Sequence, residues 1–405
     1  MRDTIISRAA SLKDDLVTFL REIIAIPSMN GDEKAVVSRI EQEMKKIGYD
    51  DVWADGLGNL FGRIGSGKRL LVIDGHCDTV DVGNQKNWDV DPFKGDFRDG
   101  YIYGRGAADQ KGGLAAAVYS GIIIKEIGLP EDVSLIVGAT VLEEDFEGIS
   151  WKYALNEGNL RPEAFLLTEP TELGIRTGQR GRMEMKVTAK GISCHGSAPE
   201  RGENAIYKMA PVIAEIEQLN SRLNAHHLLG KGTITITEIC STAPSLCAVA
   251  DSTTIHLDRR LTSGDTFDSA LEEVKNLPSV KNQSADVTVP EYTVKAYTGI
   301  EYPQKAYYPA WLLDIDHPLV VTAVKGYRDV FEDEPEIRPW VFSTNGVSTM
   351  GLYNIPTIGF GPGEERQAHA PNECVLADDL VKALSFYTAF VLRWSGEREI
   401  TGRET

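Results

Sequence analysis

The chain has 405 residues, 42% of them hydrophobic, and a formal net charge of −18. That length exceeds what one hydrophobic core serves, so two domains are expected, and an acidic chain with no Lys/Arg-rich stretch excludes nucleic acid and an anionic membrane surface as partners. The five cysteines (Cys77, Cys194, Cys240, Cys247, Cys374) fit neither a disulfide framework nor a zinc knuckle, no apolar run approaches the ~20 residues of a membrane span, and residues 1–20 mix charges without an apolar export segment; a cytoplasmic protein with free thiols is expected.

In chain order, residues 5–26 carry Ile5, Ala9, Leu12, Leu16, Leu20 and Ile23 at helical spacing, and Pro27 ends the run. Val36, Val37, Ile40, Met44 and Ile47 repeat the pattern up to Gly48. Strands are expected over 60–64 and 70–75, separated by a hairpin-type break at Gly65-Ser66-Gly67. A helix over 111–127, a strand over 133–142, a helix over 149–156 and a strand over 165–168 then alternate. Such alternation predicts an α/β fold, a mostly parallel sheet with helices on both faces.

From about Arg182 the style changes. Strands at 183–189, 233–238, 253–257 and 285–289 interleave with helices at 205–219 and 267–277, the order of a small ferredoxin-like α+β layer. It is read as an inserted lid and dimerisation domain over 181–295, splitting a catalytic domain into 1–180 and 296–405. After an irregular Tyr- and Pro-rich crossing over 292–309, a helix over 318–331, a strand over 355–360 and a helix over 377–394 resume the first style. No internal repeat, low-complexity tract or phosphate-binding glycine loop is found.

The chemistry gathers where apolar strands end. His76 and Asp78 sit two apart, so on a strand they share a face. His76 can give one ring nitrogen to a cation and the other ring N–H to Asp78, which fixes its tautomer; a lone His-x-Asp is also an ordinary strand end. Asp109 lies in a glycine-bounded loop before a helix, Glu143 and Glu144 follow the 133–142 strand, Glu169 follows 165–168, and His369 follows 358–363. In an open sheet ligands gather beyond the carboxyl ends of the strands. One Asp, two Glu and two His are a ligand set for two divalent cations, most simply zinc, with cobalt or manganese as alternatives.

These residues resemble the M20-type dinuclear-metal amidohydrolases and peptidases, which include acetylornithine deacetylase, succinyl-diaminopimelate desuccinylase, aminoacylase and the glutamate carboxypeptidases. The landmarks are 76–80, 104–113, Glu143-Glu144, Thr168-Glu169-Pro170, 191–199 with His195, and His369. The stretches 180–182, 257–261, 343–346 and 359–363 look most like the branch linked to selenium and anaerobic nitrogen metabolism in bacteria. The resemblance implies that Asp109 bridges two ions, that His76 and Glu169 complete one shell and Glu144 and His369 the other, and that Glu143 is the general base. It also implies a homodimer through the inserted domain, in which His195 crosses to the partner's site to stabilise an oxyanion. Arg260, in an Asp-x-Arg pattern, would grip a substrate carboxylate, with Arg259 beside it. The asparagine often found upstream of that arginine in the family is replaced here by Ser245-Leu246-Cys247-Ala248.

Several of these residues have plainer readings. Glu143-Glu144-Asp145 in isolation reads as a solvated loop, His195 as a loop cap, and the arginine pair as salt bridges. Asn345 and Gly361 could line a substrate pocket or serve turns. The expected function is hydrolysis of an amide-type C–N bond in a small molecule: an N-acyl or N-carbamoyl amino acid, or a dipeptide. The alternatives are a dinuclear phosphoesterase and a non-catalytic metal- or ligand-binding module on the same scaffold.

Overall fold

The structure, a computed structural model, describes residues 2–397. Helices α1 (Arg2–Ser11) and α2 (Lys13–Ile24) replace the single helix expected at the start, with a turn at Leu12. The apolar stripe nevertheless runs through both, since Ile5, Ala9, Leu12, Leu16, Leu20 and Ile23 are all buried. After α3 (Lys34–Ile47) come β1 (Asp51–Ala54), β2 (Leu60–Ile64) and β3 (Arg69–His76). The short strands β4 (Asp96–Arg98) and β5 (Tyr101–Tyr103) precede α4 (Lys111–Ile127), β6 (Val133–Thr140), α5 (Ile149–Asn156), β7 (Ala164–Leu167) and β8 (Ile175–Gln179).

The next stretch carries β9 (Gly181–Lys190), α6 (Ala205–Arg222), a hairpin of β10 (Ala225–His226) and β11 (Gly230–Lys231), β12 (Thr233–Thr242), β13 (Ser252–Leu261), α7 (Phe267–Lys275), α8 (Pro278–Asn282) and β14 (Asp286–Thr288). The crossing expected to be irregular instead forms a hairpin of β15 (Glu291–Lys295) and β16 (Glu301–Lys305), followed by β17 (Tyr307–Tyr308) and β18 (Trp311–Leu312). Its prolines and lysines hide the alternation, and the hairpin is tied down by Tyr297 and Thr298, which donate to the carbonyls of Gly58 and Gly56. The chain closes with α9 (Pro318–Val330), β19 (Ile337–Trp340), β20 (Thr357–Gly359), β21 (Cys374–Leu376) and α10 (Ala377–Gly396).

The main sheet runs β1-β2-β6-β3-β7-β20-β8-β18, with β19 also paired to β8. Its middle strands β6, β3, β7 and β20 are parallel and its margins antiparallel, except that β19 runs parallel to β8. The predicted hairpin between β2 and β3 is not formed, because β6 lies between them, antiparallel to β2 and parallel to β3. Both faces are covered, which is why the central strands read as unbroken apolar runs. Leu71 and Ile73 of β3 enter the large core under α1–α4, α9 and α10, while Leu70 and Val72 pack with Trp151 of α5.

The second sheet runs β12-β13-β9-β14, the ferredoxin-like order, and β17 adds to β9. It has its own core of Met183, Met185, Val187, Met209, Val212, Ile255 and Leu257. Among the described residues no helix is long and apolar enough to cross a membrane.

Candidate metal centre

Parallel pairing of β6, β3, β7 and β20 brings their carboxyl ends to one edge, in the crevice where open α/β sheets bind ligands. His76 is the last residue of β3 and pairs with Thr140 at the end of β6. Leu142, at a left-handed φ of +64°, turns the chain just beyond β6, immediately before Glu143 and Glu144. Glu169 stands two residues beyond β7. Asp109 comes from the loop before α4, and its peptide bond to Gln110 is cis. His369, with a φ of +61°, arrives from the segment between β20 and β21.

Asp109 lies at the middle of the group. Its Oδ1 is 3.2 Å from His76 Nε2, and its Oδ2 is 3.5 Å from His369 Nε2. Glu144 Oε2 is 2.8 Å from His369 Nε2, while its Oε1 accepts from the N–H of Val80 at 3.1 Å. Glu143 Oε2 and Glu169 Oε1 approach His76 Nε2 to 3.7 and 3.8 Å. Donor atoms of His76, Glu143 and Glu169 all lie within 4.8 Å of one another, as do those of His76, Asp109 and Glu144. Glu143, expected to carry a proton, therefore stands as near His76 as Glu169 does.

Four carboxylates in a buried space need compensation. Among the described residues none of Asp109, Glu143, Glu144 and Glu169 pairs with a lysine or arginine, and Glu143 Oε1 is buried without a hydrogen-bond partner. Burial, reinforced by neighbouring carboxylates, pushes Glu143 and Glu169 well above the usual carboxylate range, and Glu144 is raised for the same reasons. Burial also works against a charged His76, but Asp78, Asp109, Glu143 and Glu169 outweigh it and hold that ring well above an ordinary histidine. This surplus of hard and borderline donors fits two divalent cations.

Asp78 differs from expectation. His76 Nδ1 is 3.0 Å from the main-chain carbonyl of Asp78, whereas the carboxylate Oδ1 is 3.6 Å away. The strand has ended, so the chain turns and the Asp78 carboxylate instead accepts from the N–H of Glu144 at 2.9 Å. Asp78 thus orients His76 through its backbone and Glu144 through its side chain.

A cavity of about 440 Å³ opens onto the centre, lined by Glu147, Arg182, Arg260, Phe342, Ser343 and Glu365 besides the donors. Sequence reasoning gave neither Glu147 nor Arg182 a place in the site. They meet at 3.0 Å between the loop after β6 and strand β9, a pairing with no local signal. Arg260 reaches the cavity, held by Asp258 at 2.8 Å. Arg259 does not: adjacent residues of β13 face opposite sides, and Arg259 is fully buried against Asp265 and Glu273, each at 3.1 Å. Its alternation with Ile255 and Leu257 carries that signal in the sequence.

Neither Asn345 nor Gly361 lines the cavity. Asn345 is buried, donating to Asp74 at 2.9 Å and Thr140 at 3.2 Å and accepting from the N–H of Gly148 at 2.9 Å, so its side chain is saturated. At Gly361 a Cβ would meet the carbonyls of Thr168 and Glu169 at 2.3 Å; glycine there permits the close approach that seats Glu169. His195 is exposed in the second sheet's layer, bonded to Ser197 at 2.7 Å, and is not among the cavity's lining residues. A larger hollow of about 790 Å³, lined by Leu155, Glu163, His317, Tyr353 and Pro356, opens at the amino ends of β7 and β20, away from the donors.

Comparisons agree with this architecture. The model of Peptidase family M20/M25/M40 matches residues 72–393. YgeY of Escherichia coli (strain K12) is 48% identical over 390 residues, covering 96% of this chain and 97% of that protein. A probable succinyl-diaminopimelate desuccinylase of Staphylococcus epidermidis is 24% identical over 397 residues, 93% of this chain and 96% of its own length. The solved structure of YXEP from Bacillus subtilis, described as a dinuclear metal binding peptidase, superposes with a TM-score of 0.69 at 12% identity, over 95% of this chain and 98% of the other. With four-fifths of its length matched by the family model and nearly half its residues shared with YgeY, the chain belongs to Peptidase family M20/M25/M40.

Proposed function

We propose that the protein hydrolyses an amide-type C–N bond in a small molecule, an N-acyl or N-carbamoyl amino acid or a dipeptide. The observation that carries this reading is Asp109, whose two oxygens face different imidazoles, His76 and His369. His76, Asp109 and Glu169 would hold one divalent cation, and Asp109, Glu144 and His369 the other, zinc being the simplest match and cobalt or manganese the alternatives. Ions so held supply Lewis acidity and bring the pKa of a water towards about 7.

The protein's own residues do the rest. Glu143 has an unpartnered buried oxygen and a carboxyl group that burial makes proton-loving. It suits taking a proton from water and handing it to the leaving nitrogen. Arg260, on the cavity wall, would take a substrate carboxylate. The desuccinylase and peptidase descriptions of relatives support amide cleavage as the class.

The assembly we propose is a homodimer through the second sheet. Its outer strand β12 pairs on one side only and exposes Ile239, and Leu246 and Tyr207 are also exposed. One copy would bring His195 to the other's cavity as an oxyanion donor.

Metal-loaded protein assayed against N-acyl amino acids, ureido acids and dipeptides tests the reading. Turnover of one class, lost on chelation, is expected. Inactivity across the panel would favour a binding module, and hydrolysis of phosphate esters alone a phosphoesterase.

A further inference from the structure

Within the loop carrying Asp109 the N–H of Ala107 donates to the carbonyl of Gly104 at 3.1 Å, and the N–H of Arg105 donates to the carbonyl of Pro92 at 2.8 Å. Gly104 and Gly106 both have positive φ, at +153° and +89°, and a Cβ at Gly106 would meet Lys111 at 2.9 Å and Thr79 at 3.0 Å, so the backbone course here requires glycine. The N–H groups of Gly106, Ala108 and Asp109 go instead to one carboxylate, 264 residues beyond Asp109. Glu373 is fully buried, and both its oxygens are saturated by this loop. Oε1 accepts from the N–H groups of Ala108 at 2.8 Å and Asp109 at 2.9 Å; Oε2 accepts from the N–H of Gly106 at 3.1 Å and from Arg105 Nη1 at 2.7 Å. Its main-chain carbonyl takes the N–H of Gly104 at 2.9 Å, continuing the pairing of β21 with β5.

The same anchor reaches the other side of the centre. Arg105, buried and stacked over Trp88 at 5.2 Å, donates to the carbonyls of Ala370 at 3.3 Å, His369 at 3.5 Å and Asp81 at 3.3 Å. Glu373 itself stands four residues beyond His369. We infer that Glu373 is a positioning residue for the cation pair: without touching an ion it fixes the backbone of Asp109 and, through Arg105, that of His369, and so sets how tightly both sites hold metal.

The inference rests on the cation-pair reading and adds a residue to it. A merely structural Glu373 would lower stability and leave the affinity of the folded protein unchanged. A positioning one lowers affinity, because groups that orient metal ligands typically carry about 10–100-fold.

The test compares wild type, Glu373→Gln and a stability control, Ile40→Ala in the core of α3, all below the melting temperature of the weakest. A glutamine places an NH2 group against two donors whichever way it turns. Zinc affinity is measured by chelator competition, and the absorption spectrum of the cobalt-loaded protein reports ligand geometry. Expected is a zinc affinity about 10–100-fold weaker in Glu373→Gln with an altered cobalt spectrum, and no change of either in Ile40→Ala. Should Glu373→Gln not fold, Arg105→Lys keeps a cation beside Glu373 but frees the His369 carbonyl, and weaker zinc binding is again expected. Wild-type affinity and spectrum in whichever of these variants folds would overturn the inference. Wild type that itself takes up no zinc would instead overturn the reading on which it stands.

Discussion

Asp109 and His76 meet at 3.2 Å through Oδ1 and Nε2, which leaves the second Asp109 oxygen turned towards His369 at 3.5 Å. A single carboxylate placed in this way can serve two centres only while both oxygens are anionic acceptors. Asp109→Asn converts one of them into an NH2 group. Elemental analysis after dialysis against zinc is expected to find two ions per wild-type chain and at most one in the variant. Full occupancy in Asp109→Asn would remove the bridging role.

Glu143 is close to His76 yet has an oxygen with no partner. If it moves protons rather than holding metal, Glu143→Gln keeps both ions and loses turnover by about a hundredfold or more. Metal content and kcat are read on the same preparation. Loss of an ion along with activity would reassign Glu143 as a ligand.

Arg259 and Arg260 are neighbours in sequence with opposite fates. Arg259→Ala leaves Asp265 buried without its partner and should cost about 3–5 kcal/mol in denaturant unfolding. Arg260→Ala should leave stability within about 0.5 kcal/mol. Its effect is expected in KM, raised about ten- to a hundredfold with kcat little changed, as suits a lost charged hydrogen bond to substrate. The reverse pattern would place the substrate contact on the wrong residue.

Much of the centre is legible in the sequence because its donors each follow an apolar run: strand ends are local features, and parallel order brings them to one edge. What is not legible depends on distant partners. Nothing near Gly65 shows that β6 will separate β2 from β3, and nothing near Asn345 shows that Asp74 and Thr140 will saturate it. Glu147 and Arg182 are 35 residues apart and meet only when the loop after β6 comes against β9. Arg259 is the instructive case, since Ile255, Leu257 and Leu261 alternate with it on the buried face and mark it as inward. Asp78 shows the opposite limit: the His-x-Asp spacing is right, but the strand ends at His76, and the carbonyl takes the contact expected of the carboxylate.

Glu33 lies behind the centre, buried, with Oε1 accepting from the N–H of Leu142 at 3.3 Å and Oε2 unpartnered. Burial, then the charge of Asp78, raises its pKa from 4.5 to about 7. The folded state therefore binds this proton more tightly than the unfolded chain. Its contribution to stability is whole below the unfolded value of 4.5 and is lost as pH rises to about 7. Glu33→Gln carries no charge to bury. In chelator-treated protein it should be more stable than wild type by about 1–3 kcal/mol at pH ~8, with the advantage shrinking towards pH ~5. Urea unfolding at the two pH values reads this directly, and an advantage independent of pH would contradict it.

The central claim is that His76, Asp109, Glu144, Glu169 and His369 hold a pair of cations. Anomalous diffraction at the zinc edge, from crystals grown with the metal, measures this most directly. Two peaks about 3.5–4 Å apart on either side of the Asp109 carboxylate are predicted. A lone peak remote from Asp109, or no peak at all, would contradict the account.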